Sequence, residues 1–346
     1  TKSEIKSLKS DPSTFIKISF PLGVFIMLVP SLLITHQTYK SQVIQMVIIN
    51  DFNADQFNIP LNQIESKIPS IPNVTVTTIP MDAIKARYYF NFQKYDKALE
   101  LALNSKKENP YLHYGDIIAS KVYQIKGDKD KAFKFAERAF YGMPNNNLHI
   151  GEFLKLITER SDDQSLEKAY PLLTGDKKLT GWKSYLITKL NWTPPGDPVL
   201  IKRAEKAQQL FPYDDQFRQI LKTVKIGNSR INSALSISKQ AQKKYSDQIF
   251  EEAASLYDKA IDLDPFEYSY YENSALCYYS IDNLDNALNR INVVIDDMNP
   301  LNGKCEYIKG LIFLKLGLTN DGCDLFQTSI SSGFQPAKDL QKQYCQ

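Results

Sequence analysis

Histidine is scarce in this 346-residue chain. Its three copies, His36, His113 and His149, have no Cys or carboxylate arrangement around them that resembles a metal set, so no metal ligand is expected. Glycine is thin as well, with 14 residues, and none builds a phosphate-cradling loop or a Gly-x-Ser-x-Gly elbow. Charge of one sign is missing too: 42 basic residues face 39 acidic ones, for a net charge of +3. A protein that grips a nucleic-acid backbone concentrates Lys and Arg on one face, and here they are spread beside Asp and Glu as solvated helix faces. The acidic pairs Asp162-Asp163, Asp214-Asp215 and Asp296-Asp297 fall at turns or helix ends, where solvation accounts for them. No catalytic residue, cofactor or nucleic-acid partner is therefore expected.

What is present is a repeat. Ala86, Tyr89, Ala98 and Pro110 are followed by Ser120, Tyr123, Ala132 and Pro144, each about 34 residues after its counterpart. Small residues at these positions let two antiparallel helices touch, an aromatic fills the space beside them, and Pro stops the second helix. Ala241, Ala253, Tyr257, Ala260 and Pro265 repeat the pattern, as do Ala275, Tyr278 and Ala287, and then Gly310, Phe313, Gly317, Gly322 and Phe326. One extra residue enters before Pro300. Between 145 and 227 the period blurs, although Trp182, Ala204, Ala207 and Pro212 look like the remains of a repeat with a long insertion. The pattern resembles the tetratricopeptide repeat (TPR), which implies an all-α superhelical solenoid of antiparallel helix pairs, in one elongated stack rather than two globules.

The one long uncharged run is Ile18 to Thr35. As a helix its length is roughly 27 Å, close to a hydrocarbon core, and Pro21 and Pro30 are better tolerated in a membrane helix than in a soluble one. The alternatives are a buried core helix or a targeting segment. Lysines ahead of the run place the N-terminus in the cytoplasm and the rest of the chain outside a bacterial inner membrane. The expected division is a basic cytoplasmic segment (1–17), a transmembrane helix (18–35) and a juxtamembrane helix with a Pro-rich connector (36–80). Two repeats (81–144), a degenerate helical stretch with an inserted loop (145–227), and three repeats with a capping helix (228–346) follow. Four prolines between 60 and 80 leave room for an extended connector with one edge strand. The loop Trp192-Thr-Pro-Pro-Gly-Asp-Pro198 is expected to protrude.

All four cysteines, Cys277, Cys305, Cys323 and Cys345, lie in the last quarter. Antiparallel helices place the start of the last repeat's second helix beside the end of the capping helix, which suggests a Cys323 to Cys345 disulfide in an oxidising compartment. The other reading is four small buried residues, as expected for Cys277.

TPR solenoids hold a protein or peptide partner in a concave groove lined by the first helix of each repeat. By that resemblance the groove residues are Arg87, Phe90 and Asn91 in the first repeat and Tyr114, Ile117, Lys121 and Gln124 in the second. In the later repeats they are Glu272, Leu276, Tyr279, Tyr307, Leu311 and Lys315. Each position competes with an ordinary surface role. The Lys and Asn set with which chaperone-binding TPR domains clamp a carboxylate is not reproduced. The ending Asp321-Gly-Cys323-Asp-Leu-Phe326 with Tyr344-Cys345 resembles closing repeats of TPR proteins from Bacteroidota. The run Lys134 to His149, after an apolar span and a first repeat, is similar to the C-terminal part of O-antigen ligase or polymerase type membrane proteins. That resemblance implies a non-catalytic tail of a surface-polysaccharide enzyme whose membrane portion precedes Thr1. The alternatives are a free-standing membrane-anchored adaptor for envelope assembly and an enzyme acting through the irregular stretch from Trp182 to Trp192.

Overall fold

The computed structural model describes residues 12–69, 71–175, 178–298 and 300–345; residues 1–11 of the expected basic segment lie outside the described residues. The fold is all-α and TPR-like, and the helices cluster into two compact units, Thr1–Thr188 and Lys189–Gln346. One uninterrupted stack was expected; the division falls just before the proline-rich loop at 192–198.

The first unit opens on α1 (Pro12–Asn53), a single helix of 42 residues that contains Pro21 and Pro30. It does not stop where the uncharged run stops, because the residues after Thr35 are apolar or polar at helical spacing. Ser41, Gln45, Ile48 and Asp51 recur every three or four residues, and all four are buried. Ile48 packs with Ile59, Ile64, Ile68, Met81, Ile84 and Tyr88. Gln45 accepts the backbone N–H of Val76 at 2.8 Å. Asp51 accepts the Asn58 backbone N–H at 2.8 Å, the Asn58 amide at 2.6 Å and the Tyr88 hydroxyl. The connector contains a 3-10 turn (Leu61–Gln63), a short helix α2 (Ile64–Lys67) and, where an edge strand was expected, only an isolated antiparallel bridge between Val74 and Pro80. Proline at 69, 72 and 80 removes the backbone donors that a longer ladder would use.

Helix pairs follow: α3 (Met81–Asn91) with α4 (Tyr95–Glu108), α5 (Tyr114–Ile125) with α6 (Lys129–Gly142), and α7 (Asn147–Arg160) with α8 (Asp163–Thr174). The second helices start at 95, 129 and 163, so the 34-residue step runs on into the stretch where it is blurred in the sequence. Helix α9 (Leu179–Lys189) closes the unit, with Trp182 and Tyr185 against Tyr170 of α8.

Gly115 shows why small residues are required where helices cross. A Cβ there would collide with the Ala102 backbone carbonyl and the Ser105 hydroxyl of α4. Gly115→Ala should therefore destabilise the protein by about 1–3 kcal/mol through overpacking. At Gly151 of α7 nothing lies within 4 Å of the added methyl, and Ala should stabilise by about 0.5–1 kcal/mol. Urea unfolding of the two variants should move the midpoint in opposite directions.

In the second unit α10 (Pro198–Leu210) is followed by α11 (Asp215–Ser246), which breaks at Gly227 (φ 79°, ψ 151°) into helices 215–226 and 228–246. The break leaves carbonyls without an intrahelical donor. The 192–198 loop supplies one from its exposed tip: Gly196 N–H donates to the Val224 carbonyl at 2.8 Å, and Pro195 lies against Gly227, where a Cβ would crowd it. Then come α12 (Phe250–Leu263), α13 (Tyr268–Ser280), α14 (Leu284–Val293), α15 (Lys304–Lys315), α16 (Thr319–Ser331) and α17 (Ala337–Tyr344). Helices α12, α14 and α16 start at 250, 284 and 319, steps of 34 and then 35. The additional residue follows α14 in a π-helical turn, Val294–Met298, whose wider i to i+5 pairing absorbs one residue without shifting the repeats on either side. The core is alanine-rich where helices cross, with Ala241, Ala253, Ala260, Ala275 and Ala287 around Tyr257 and Ile308. A disulfide joins Cys323 to Cys345, Cα to Cα 5.6 Å, and ties α17 to α16; Cys277 and Cys305 are free and buried.

Candidate partner-binding surfaces

In the first unit much of the expected groove is covered by the chain itself. Arg87 of α3 lies over the rings of Phe52 (5.1 Å) and Phe57 (4.4 Å) and bonds to Asp55 at 3.0 Å, so the end of α1 and the residues just after it occupy its face. Tyr114 is 5.7 Å from Phe52, and burial raises its hydroxyl pKa. Ile117 is buried. Phe90 is half-buried against Tyr95, a residue of its own helix pair. What remains is polar: Asn91 is exposed and Lys121 half-buried. Gln124 donates to the Glu152 carboxylate and to Ser120 at 3.3 Å, and accepts from Lys155 at 2.8 Å. That network links the first helices of two successive repeats through a buried carboxylate.

In the second unit Glu272 is a structural residue. It is 2% exposed, pairs with Lys304 at 2.8 Å and accepts the Cys305 thiol at 3.2 Å. Burial and then this carboxylate push the Cys305 thiol up. Tyr307 packs between Phe326 and Phe334, and Leu276 lies against the alanine-rich core. Tyr279 and Lys315 do come together, with the Lys315 ammonium 4.7 Å from the ring centroid, 3.1 Å from the Tyr279 carbonyl and 2.9 Å from Asp282. Leu311 is half-buried.

A deeper concavity in this unit lies elsewhere, along helix 215–226 of α11. It measures about 750 Å³ and is lined by Arg218, Lys222 and Lys225 from that helix, Phe266 to Tyr268, Met298 at the end of the π turn, and Pro300 and Leu301 beyond it. Lys222 forms the floor. Its ammonium stands 3.0 Å from Asp264, which is fully buried, and 3.2 Å from Glu267. Burial works against its charge, but the two carboxylates prevail and raise its pKa. Lys225 pairs with Glu205 and lies over the Phe266 ring at 5.5 Å; Arg218 pairs with Asp215. The cleft therefore offers apolar walls with charged groups already neutralised in pairs, a lining suited to a polypeptide segment carrying both kinds of side chain. Its residues sit mainly on the half-helix before Gly227 and on two segments that join successive helices, away from the expected first-helix positions. The extra residue before Pro300 was the one signal in the sequence.

Among the described residues no group of three or more His, Cys, Asp and Glu is placed to hold a metal ion. His149 is buried in α7, and its imidazole pKa falls to about 4 through burial and then the nearby His113.

No protein-family model matches the chain, and no curated protein matches it either. Solved structures similar to it include a tetratricopeptide repeat protein from Parabacteroides merdae, at 14% identity, 75% coverage of this chain, 96% of that one and a TM-score of 0.30. The TPR2AB domain of yeast Sti1 in its pHSP90 complex is 12% identical over 77% of this chain and 97% of the other, with a TM-score of 0.31. The TPR domain of P58(IPK) is 13% identical over 77% and 80%, with a TM-score of 0.33. The TPR-like architecture stated above rests on the helix pairs and their 34-residue step, not on these similarities.

Proposed function

We propose that this protein is a membrane-tethered scaffold whose TPR-like units hold a protein or peptide partner on the periplasmic side of a bacterial inner membrane. The observation that carries the reading is α1. Its segment from residue 19 is long and apolar enough to cross a membrane and has none of its apolar window buried inside the protein, yet the same helix is docked on the first repeat from Ser41 onward. A core helix would be covered, so that alternative has no support. The Cys323 to Cys345 disulfide supports an oxidising compartment, and the lysines before the run support a cytoplasmic N-terminus. The partner-binding role falls to the cleft along helix 215–226 and to the polar face around Gln124.

Extraction of native membranes with alkaline carbonate, followed by protease treatment of intact spheroplasts, tests this reading. Retention in the membrane pellet with both units digested from outside is the expected outcome, and release into the carbonate supernatant would remove the tether. The narrower reading is the tail of a surface-polysaccharide ligase or polymerase, supported by the run Lys134 to His149 placed after an apolar helix. Further apolar spans encoded in frame ahead of Thr1 would favour it, whereas a start codon next to Thr1 would leave the free-standing adaptor.

A further inference from the structure

We infer that α1 is also a dimerisation helix: two copies of this chain pair in parallel along a seam running from the apolar segment into the docked half of the helix. The seam is written at alternating three- and four-residue steps. Leu22, Phe25, Val29, Leu32, His36, Tyr39, Val43, Met46 and Asn50 occupy successive a and d positions of a heptad pattern. All nine are exposed.

The opposite side of the same helix is already used. Ser41, Gln45, Ile48 and Asp51, which hold α1 on the first unit, fall at f, c, f and b, on the face turned away from a and d. Docking to the repeats thus leaves the whole stripe open. Beyond Thr35, where lipid no longer covers the helix in the proposed tether, Tyr39, Val43 and Met46 still expose 65%, 54% and 70% of their surface. A lone helix meeting water there gains nothing from apolar residues at that spacing; a second helix buries them.

The run of exposed apolar residues and the residue choice along it favour a second copy as the occupant. Beyond the lipid, Tyr39, Val43 and Met46 expose 54% to 70% of their surface, about 300 Å² per chain at roughly 150–200 Å² for a large side chain, and Leu22, Phe25, Val29 and Leu32 continue the same seam inside the bilayer, where side-chain packing drives helix association. Val29 and Val43 at a, with Leu32 at d, suit two strands, and Asn50 at a is the kind of single polar residue that fixes register. A shared tether, with both chains entering the membrane from one side, makes the pair parallel; this orientation and the extent of the seam that meets water rest on the membrane reading.

The test uses the full chain in its native membrane, with single cysteines introduced as Val43→Cys, Met46→Cys and, on the face away from the seam, Gln37→Cys. Mild oxidation should cross-link the first two to twice the chain mass and leave the third monomeric. The double variant Val43→Asp/Met46→Asp should lose the dimer in detergent by light scattering while keeping the helical signal and unfolding midpoint of the monomer. Equal cross-linking at all three sites, none at any, or a product of another mass would overturn the inference. Loss of the tether shows separately, as protein missing from the membrane pellet, and the cross-linking is read on the protein in whichever fraction it appears.

Discussion

Replacing Lys222 by Met should cost the second unit about 3–5 kcal/mol, the penalty for leaving a buried charge without its partner. Asp264 is 0% exposed and its carboxylate lies 3.0 Å from the Lys222 ammonium. Asp264 has no exposed surface of its own and relies on that cation, and Glu267, 28% exposed at its side chain, adds a second negative group to the same spot. Removing both charges tests the cause. In Lys222→Met/Asp264→Leu the uncompensated carboxylate is gone, and most of the lost stability should return. Urea unfolding of the three proteins distinguishes this from packing: if the double variant is less stable than the single, the ion pair is not what holds the floor of the cleft. The experiment also bears on binding, since the cleft keeps its walls only while helix 215–226 stays pinned to the loop at 264–267.

Acid should weaken the first unit through His149. Its imidazole is buried with the pKa lowered from 6.5 to about 4, first by burial and then by the His113 charge. Between those two values the unfolded chain takes up the proton and the folded chain does not. Stability contributed by the neutral ring is therefore complete above pH 6.5 and is lost as pH falls toward 4, by about 3 kcal/mol in all. Unfolding free energies measured from pH 7 to pH 4 for the wild type and for His149→Gln should converge by that amount toward acid. Parallel profiles would show that His149 titrates alike in both states.

The repeats were legible where their signature residues survive. Ala98 and Ala132 mark helix crossings at zero exposure, and Tyr257 is buried among Ala241, Ala253 and Ala260 in the second unit. In α7 and α8 the fold keeps its step but the residues change. Leu166 stands where Ala132 stood one repeat earlier, Ile157 where Tyr123 stood, and Lys178 where Pro144 stood. Leu166 and Ile157 are fully buried, so other apolar side chains fill the same space and the pattern of Ala and Tyr disappears without the packing being lost. The turn there is made by Ser161 in the left-handed region and by Asp162 capping the Ser165 N–H, where the preceding repeat uses Gly127 and Asp128.

The surfaces were harder to read for a different reason. A first-helix position says which way a side chain points from its own repeat, but not what another part of the chain lays over it. Arg87 meets Phe52 near the end of α1 and Phe57 just after it, and Tyr114 meets Phe52, all from a segment outside the repeats. Glu272 likewise meets Lys304 from the following repeat. The cleft beside Lys222 depends on a helix break at Gly227 and a π turn at Val294–Met298, and both are departures from the period rather than products of it.

In the proposed tether α1 is one helix that leaves the membrane and lands on the first repeat. Cysteine scanning from residue 19 to 53 in sealed bilayers, read with a membrane-impermeant maleimide, examines that directly. Continuous protection through residue 35 should give way to reactivity that returns to a minimum at Ser41, Gln45 and Ile48, the residues buried against the repeats. Uniform reactivity from 19 onward, or reactivity at those three positions equal to that at Gln37, would contradict it.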